Sequence, residues 1–216
     1  MRDIKIPISD ETIRSLKVGD SITLSGMMMT GRDNVHKWMI ETFIKNTRNP
    51  QGDDFDVYTA IKPILDGGVI YHCGPVVAGL ETEEYQFVAA GPTTSIREEP
   101  YQGDVMRHFN IKGVIGKGGM GLKTLTACQE GPGLYLHAIG GAASLIAQSV
   151  IRVHDVHKLD FGVPEAMWVI EVKEFPVVVT MDSHSGSLHA EVEQRSQETF
   201  NGLMTKERKG IREIRS

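Results

Sequence analysis

Lys112-Gly113-Val114-Ile115-Gly116-Lys117-Gly118-Gly119-Met120-Gly121 is the stretch on which the reading of the fold turns. A short apolar run enters a glycine-dense bend, and Leu122 to Gln129 leaves it with helix-forming residues. Strand, tight turn and helix in that order are the repeating unit of α/β architecture. Upstream, Tyr85 to Ala90 runs as a second strand into Gly91-Pro92-Thr93-Thr94-Ser95-Ile96-Arg97. The two bends carry three hydroxyls, a guanidinium and an ammonium at strand ends, where loops place chemistry on a rigid scaffold. These charges are cationic in a chain of net charge −5, so the implied ligand is a small anion.

The remaining pattern extends the same unit. Ser9 to Thr12 offers N-cap chemistry before Ile13 and Leu16, within a lead-in from Lys5 to Val18. Ser21 to Met29 alternates as a strand broken by Gly31-Arg32-Asp33; Asp33 or Asn34 then caps a helix with Val35, Trp38, Met39, Thr42 and Phe43 on its apolar side. Residues 46–66, rich in Asn, Asp, Gly and Pro, read as an exposed excursion. Val69 to Cys73, Leu134 to Ile139, Val153 to Leu159, Trp168 to Val172 and Val177 to Met181 read as strands. Val105 to Phe109 and Ala142 to Val150 read as helices, and Asp182 to Gly186 as a turn. The expectation is one α/β domain with a mixed sheet over residues 1–190, followed by a charged C-terminal extension, 191–216, as a solvated helix or frayed end.

Composition narrows the function. Apolar content of 40% with 24% charge is ordinary for a globular protein, and 216 residues bury a real core. The acidic balance argues against a general nucleic-acid or anionic-membrane surface. No apolar run reaches the roughly 20 residues that span a bilayer. The start, Met1 to Pro7, lacks the apolar segment of a secretory signal, so a cytoplasmic location is expected. Cys73 and Cys128 show no metal-ligand spacing and are expected as buried thiols; the metal-ligand set of this chain is expected to be none.

Each constellation has competing readings. Gly116 to Gly121 satisfies GxGxxG between a strand and a helix, but no acidic residue about 20 residues on presents itself for a ribose. It is not a P-loop, because Gly118 follows Lys117. That leaves a plain turn, or a lysine delivered to an anion beside helix N-terminal amides. One of Thr93, Thr94 and Ser95 is expected as an N-cap, which places Arg97 one helical turn from Thr93. Arg32 is either a surface arginine or a second carboxylate ligand, and His36 either braces it or packs the helix. His72, His108 and His137 share no metal spacing and read as structural. Arg32, Arg97 and Lys117 together suit a dicarboxylate, since arginine pairs carboxylates through two parallel hydrogen bonds.

Five ordered motifs carry a resemblance. Gly31-Arg32-Asp33-x-x-His36-Lys37, Cys73-Gly74-Pro75, Gly91-Pro92-Thr93-Thr94-Ser95-x-Arg97, Gly116-Lys117-Gly118-Gly119 and Gly162-x-Pro164-Glu165-Ala166-x-Trp168 resemble the β subunit, or C-terminal half, of class I iron–sulfur hydro-lyases. That family comprises fumarate hydratase and L(+)-tartrate dehydratase. The resemblance runs from about Val18 to Asp182 and implies a swivelling β/β/α domain. It departs in a longer stretch between Lys45 and Gly67, in Cys73 where the family usually has Ala, and in the C-terminal extension.

By the family pattern Arg32, Arg97 and Lys117 bind the substrate carboxylates and Thr93 is the base, with Thr94 as the alternative; Thr94 is also expected to bind substrate, Lys117 to serve catalysis and His36 to support. The resemblance implies a [4Fe–4S] cluster held by a partner α subunit in a heterodimer or heterotetramer. The activity it implies is fumarate hydration to L-malate, or else tartrate dehydration to oxaloacetate. A non-catalytic anion-binding protein of the same fold is the reading from a different class.

Overall fold

Short, fully buried apolar runs divided by glycine turns build a sheet covered on both faces. The computed structural model describes residues 1–214. Its strands are β1 (Arg2–Lys5), β2 (Ser21–Thr30), β3 (Val69–Tyr71), β4 (Val76–Ala78), β5 (Gln86–Ala89), β6 (Gly113–Gly116), β7 (Leu134–His137), β8 (Val150–His157) and β9 (Met167–Met181). Its α-helices are α1 (Asp10–Arg14), α2 (Asp33–Met39), α3 (Asp54–Leu65), α4 (Glu99–Phe109), α5 (Leu122–Glu130), α6 (Ala143–Ala147) and α7 (Leu188–Ile214). A π-helical turn, Ile40–Ile44, extends α2, and a 3₁₀ turn, Ser95–Glu98, leads into α4.

β1, β2, β3, β6 and β7 lie side by side and parallel, while β9 runs antiparallel to β7 and β8. β9 also pairs with β2, from Ser21↔Val178 to Met29↔Val169, so the pairing closes on itself. β4 and β5 form a separate two-stranded hairpin. The result is one mixed α/β domain with a mixed sheet, as the sequence predicts.

Side-chain alternation divides the core in two. Val69, Tyr71, Ile115, Leu134 and Leu136 join Trp168, Ile170 and Phe175 of β9 on one face. Ile70, Val114 and Tyr135 join Trp38, Ile61, Met106, Phe109 and Cys128 from the covering helices on the other. Each fully buried large apolar side chain contributes about 1.5–3 kcal/mol relative to exposure.

Several expectations are corrected. Residues 46–66 are not a bare excursion: they contain α3, which buries Val57, Ile61 and Leu65 at helical spacing. Pro63 lies inside that helix near its C-terminal end, where the sequence suggests a loop. The two strands expected over 168–181 are one. Glu174 takes a left-handed backbone (φ 51°) at a bulge opposite Leu24–Gly26, so Lys173 and Pro176 interrupt the apolar run without ending the strand. β1 was hidden in the lead-in, with only Ile4 of its four residues buried. The charged tail belongs to α7, whose Val192, Phe200 and Leu203 are exposed.

Candidate active site

The C-terminal ends of the parallel strands converge on one edge of the sheet, the place where open α/β sheets bind ligands. Beyond β3, His72 O accepts the Thr93 N–H at 2.7 Å, and Cys73 bridges Pro92. Beyond β6, the Lys117 N–H donates to Thr93 O and the Ser95 N–H to Lys117 O, both at 3.2 Å. Residues 92–95 thus lie as a short extended segment between the two strand ends, with Thr94 bridged to Lys117. The two bends singled out in the sequence form one surface.

The hydroxyls behave differently from expectation. None of the three caps the following turn: Thr94 stands at its start but its side chain makes no capping hydrogen bond. Thr93 lies before the turn, so helical spacing does not set it against Arg97; the bridge from Thr94 lays the segment beside Lys117 instead. Thr93 Oγ1 is buried and has no hydrogen-bond partner, whereas Thr94 is exposed. Such an orphaned hydroxyl is costly unless a ligand meets it. Lys117 is exposed and its side chain makes no ion pair or hydrogen bond among the described residues.

Arg32 stands between β2 and α2. Its Nη1 lies 3.1 Å from Glu165 Oε1 and donates to Pro164 O at 3.4 Å, while its Nε is buried without an acceptor. A Cβ on Gly74 would come within 2.6 Å of Arg32 Nη1 and 3.0 Å of Pro164 O, so a side chain there would displace the guanidinium from its present place. Arg97 is half exposed, and its Nη2 pairs with Asp33 Oδ2 on the neighbouring bend. Arg32 and Arg97 both act on Asp33, and each already faces a carboxylate: Glu165 and Asp33 respectively. Glu165 was assigned no role from the sequence, and Asp33 only that of a helix cap alternative to Asn34, which is corrected here: Arg32 stands at the cap position of α2 and no side chain caps it.

Beneath this surface lies a buried polar chain. His36 Nδ1 sits 2.9 Å from Arg32 O, so that nitrogen carries a hydrogen and braces the Arg32 backbone. Burial lowers the proton affinity of both rings, pushing His72 down to about 3, so each imidazole is neutral. His36 Nε2 must then accept. The Gln102 amide faces His36 Nε2 at 2.9 Å and His72 Nε2 at 2.8 Å. Its NH₂ belongs there, donating to both rings; in the opposite orientation the amide nitrogen is buried with no acceptor. His72 then carries its hydrogen on Nδ1 and donates to Ser95 Oγ at 2.8 Å. Arg32 and the 93–97 bend are tied together through Ser95, His72, Gln102 and His36. Gln102 lies on α4 and leaves no signal in the sequence.

The helix amides after the glycine turn do not await an anion. Glu99 accepts the N–H of Gly121 at 2.8 Å and of Lys123 at 2.9 Å, and the Thr124 hydroxyl at 2.6 Å. A Cβ at Gly121 would meet Glu99 Oε1 at 2.5 Å. The last glycine of GxGxxG admits an internal carboxylate where a dinucleotide would present its pyrophosphate.

Cys73 and Cys128 are free and fully buried, and burial pushes both thiols up to about 12. Among the described residues no group of three or more His, Cys, Asp or Glu could hold a metal ion. The donor set of this chain does not fit a [4Fe–4S] cluster, which takes three or four thiolates. No described helix is long and apolar enough to cross a membrane.

Residues 2–192 match the family model described as Fumarase C-terminus. The chain is 50% identical over 199 residues to a protein of Geobacillus stearothermophilus provisionally named fumarate hydratase class I; the match covers 92% of this chain but 35% of that protein. It is 37% identical over 199 residues to a protein of Methanocaldococcus jannaschii provisionally named L(+)-tartrate dehydratase subunit beta, covering 91% of this chain and 95% of the relative. It is 36% identical over 186 residues to the L(+)-tartrate dehydratase subunit beta of Escherichia coli, covering 86% and 85%. With the motif residues Arg32, Thr93, Arg97 and Lys117 assembled on one sheet edge, the chain belongs to the fumarase C-terminus family, the module shared by class I fumarate hydratase and the β subunit of L(+)-tartrate dehydratase.

Proposed function

We propose that this chain is the β subunit of a class I hydro-lyase that interconverts fumarate and L-malate, completed by an α subunit that carries a [4Fe–4S] cluster. The observation that carries the reading is the sheet edge itself: a buried hydroxyl without an internal partner, on the same edge as two arginines and an uncommitted lysine. The preference for fumarate rests on 50% identity to the fumarate hydratase relative against 36–37% to the tartrate dehydratase subunits.

In this reading Arg32 and Arg97 each hold one carboxylate of the substrate, fixing it across the cleft. Thr93 Oγ1 stands at the carbon that gains or loses a proton beside a carboxylate. Removing that proton places a second negative charge on the carboxylate, and Lys117 with the nearer arginine stabilises the charge as it develops. The His72–Ser95 hydrogen bond keeps the 93–97 bend from drifting, which matters because misplacement by about 1 Å costs on the order of 10²-fold in rate.

Tartrate dehydration is the second reading. The tartrate dehydratase subunits match this chain over 85–95% of their own length, so they are chains of its own size. Reconstitution with the α subunit, followed by parallel assays on malate and tartrate, separates the two. Faster turnover of malate supports the proposal; dehydration of tartrate far faster than malate overturns it.

A further inference from the structure

Glu98 is a fully buried acid (1% exposed) for which no cation pairs among the described residues. The 3₁₀ turn Ser95–Glu98 leaves Arg97 exposed and Glu98 buried, with Asp33 the acid that acts on it most directly. Asp33 Oδ2 is occupied by Arg97, while Asp33 Oδ1 and Glu98 Oε2 are both buried without any donor. Two ionised carboxylates cannot rest against each other with lone pairs facing, and a buried charge without a partner is too costly to keep.

We propose that Asp33 and Glu98 share a single proton, and that this proton sets how tightly Arg97 is held away from a ligand. With it the pair carries one negative charge, matched by Arg97; when the proton leaves to solvent the pair carries two. Burial first, and the Asp33 charge second, push Glu98 up to about 8, while Glu98 and Arg97 hold Asp33 below the usual carboxylate range despite its own burial. The other groups facing the pair are Arg32, Glu165 across the cleft, Tyr135 from β7, and His36 and His72 below.

The charge of the cleft explains why the proton matters. Arg32, Arg97 and Lys117 supply three positive charges, and Glu165 with the singly charged pair removes two. Loss of the shared proton removes the third, leaving a neutral cleft for a dianion. Asp33 and Glu98 are therefore positioning residues acting through Arg97, a role that rests on the dicarboxylate reading only in its kinetic consequence.

Infrared pH titration of the full chain tests the pair without any activity. The expected result is a protonated-carboxyl C=O band at neutral pH that disappears in one step near pH 8, and that is absent from Glu98→Gln. Asp33→Asn should move the step to lower pH by removing the like charge, which keeps the test available if Glu98→Gln fails to fold. No such band at neutral pH, a band that survives in Glu98→Gln, or an unmoved step in Asp33→Asn overturns the proposal. In the assembled enzyme, KM for the dicarboxylate should rise by about tenfold per pH unit above the step at constant kcat, and stay flat in Glu98→Gln. A KM indifferent to the step overturns the link to Arg97. A step without any turnover of dicarboxylates sinks the functional reading alone.

Discussion

Gly116→Ala is the substitution that the structure predicts most sharply. An added Cβ would lie 1.7 Å from Ser95 Oγ and 3.2 Å from His72 Nδ1, both buried. Ser95 must rotate, breaking its 2.8 Å bond to His72 and leaving a buried N–H without an acceptor. The lost bond costs about 1–3 kcal/mol, and forcing a methyl into packed surroundings about 1–3 kcal/mol more. A loss of roughly 2–6 kcal/mol lowers Tm by about 5–20 °C for a chain of this size.

Gly118→Ala is the matched control from the same turn. Nothing lies within 4 Å of its Cβ, and only the left-handed backbone (φ +71°) resists it, at about 1–2 kcal/mol. Thermal unfolding of both full-length variants, followed by circular dichroism, makes the comparison. Adding Ser95→Gly to Gly116→Ala should cost little beyond Ser95→Gly alone, because the clash has been removed. If Gly116→Ala melts no lower than Gly118→Ala, or the double variant is additive, the Ser95–His72 contact is not what fills that space.

Three further outcomes follow from the same geometry. Thr93→Val should abolish turnover in the assembled enzyme while Thr94→Val retains most of it, since only the Thr93 hydroxyl is buried and unpartnered; the reverse pattern would assign the base to Thr94. Asp54→Ala should destabilise by about 1–3 kcal/mol in denaturant unfolding, because Asp54 (1% exposed) receives the Trp38 indole N–H at 2.9 Å, which loses its acceptor, while Lys158 Nζ, 2.6 Å away, keeps Asp53 as a partner; a loss under 1 kcal/mol would show the pair to be dispensable. His72 is held neutral in the fold, near 3 against an ordinary 6.5, so unfolding takes up a proton between those values. Its stabilising contribution is intact above pH 6.5 and declines below it by up to about 1.4 kcal/mol per pH unit. Unfolding free energies measured across that window should slope accordingly, less so in His72→Gln; equal slopes in the two proteins would contradict the neutral assignment.

What the sequence reveals and conceals has physical causes. Thr93, Arg97 and Lys117 were legible because each follows a Gly-marked bend at a strand end, and the β-bridge between Thr94 and Lys117 joins those bends directly. Asp33, Glu98 and Glu165 were not, because an acid one residue from an arginine or in a loop looks like ordinary surface until its burial is known. One of Thr93, Thr94 and Ser95 looked like a cap, since a hydroxyl before a helix usually serves as one; Ser95 instead meets His72, which follows β3. α3 and the continuous β9 were obscured by Pro63, Pro176 and the Lys173–Glu174 bulge, where tertiary packing overrides local propensity.

The pairing of β2 with β9 has a consequence for synthesis. Ser21 finds its antiparallel partner only at Val178, so during translation β2 waits as an open edge until nearly the whole domain has been made. Contacts so distant in sequence close slowly, and exposed apolar edges aggregate meanwhile. Both bends of the candidate site will have left the ribosome long before the frame that aligns them can shut. A chain released before Phe175 would therefore carry every predicted ligand-binding residue and still have no formed cleft to offer a partner.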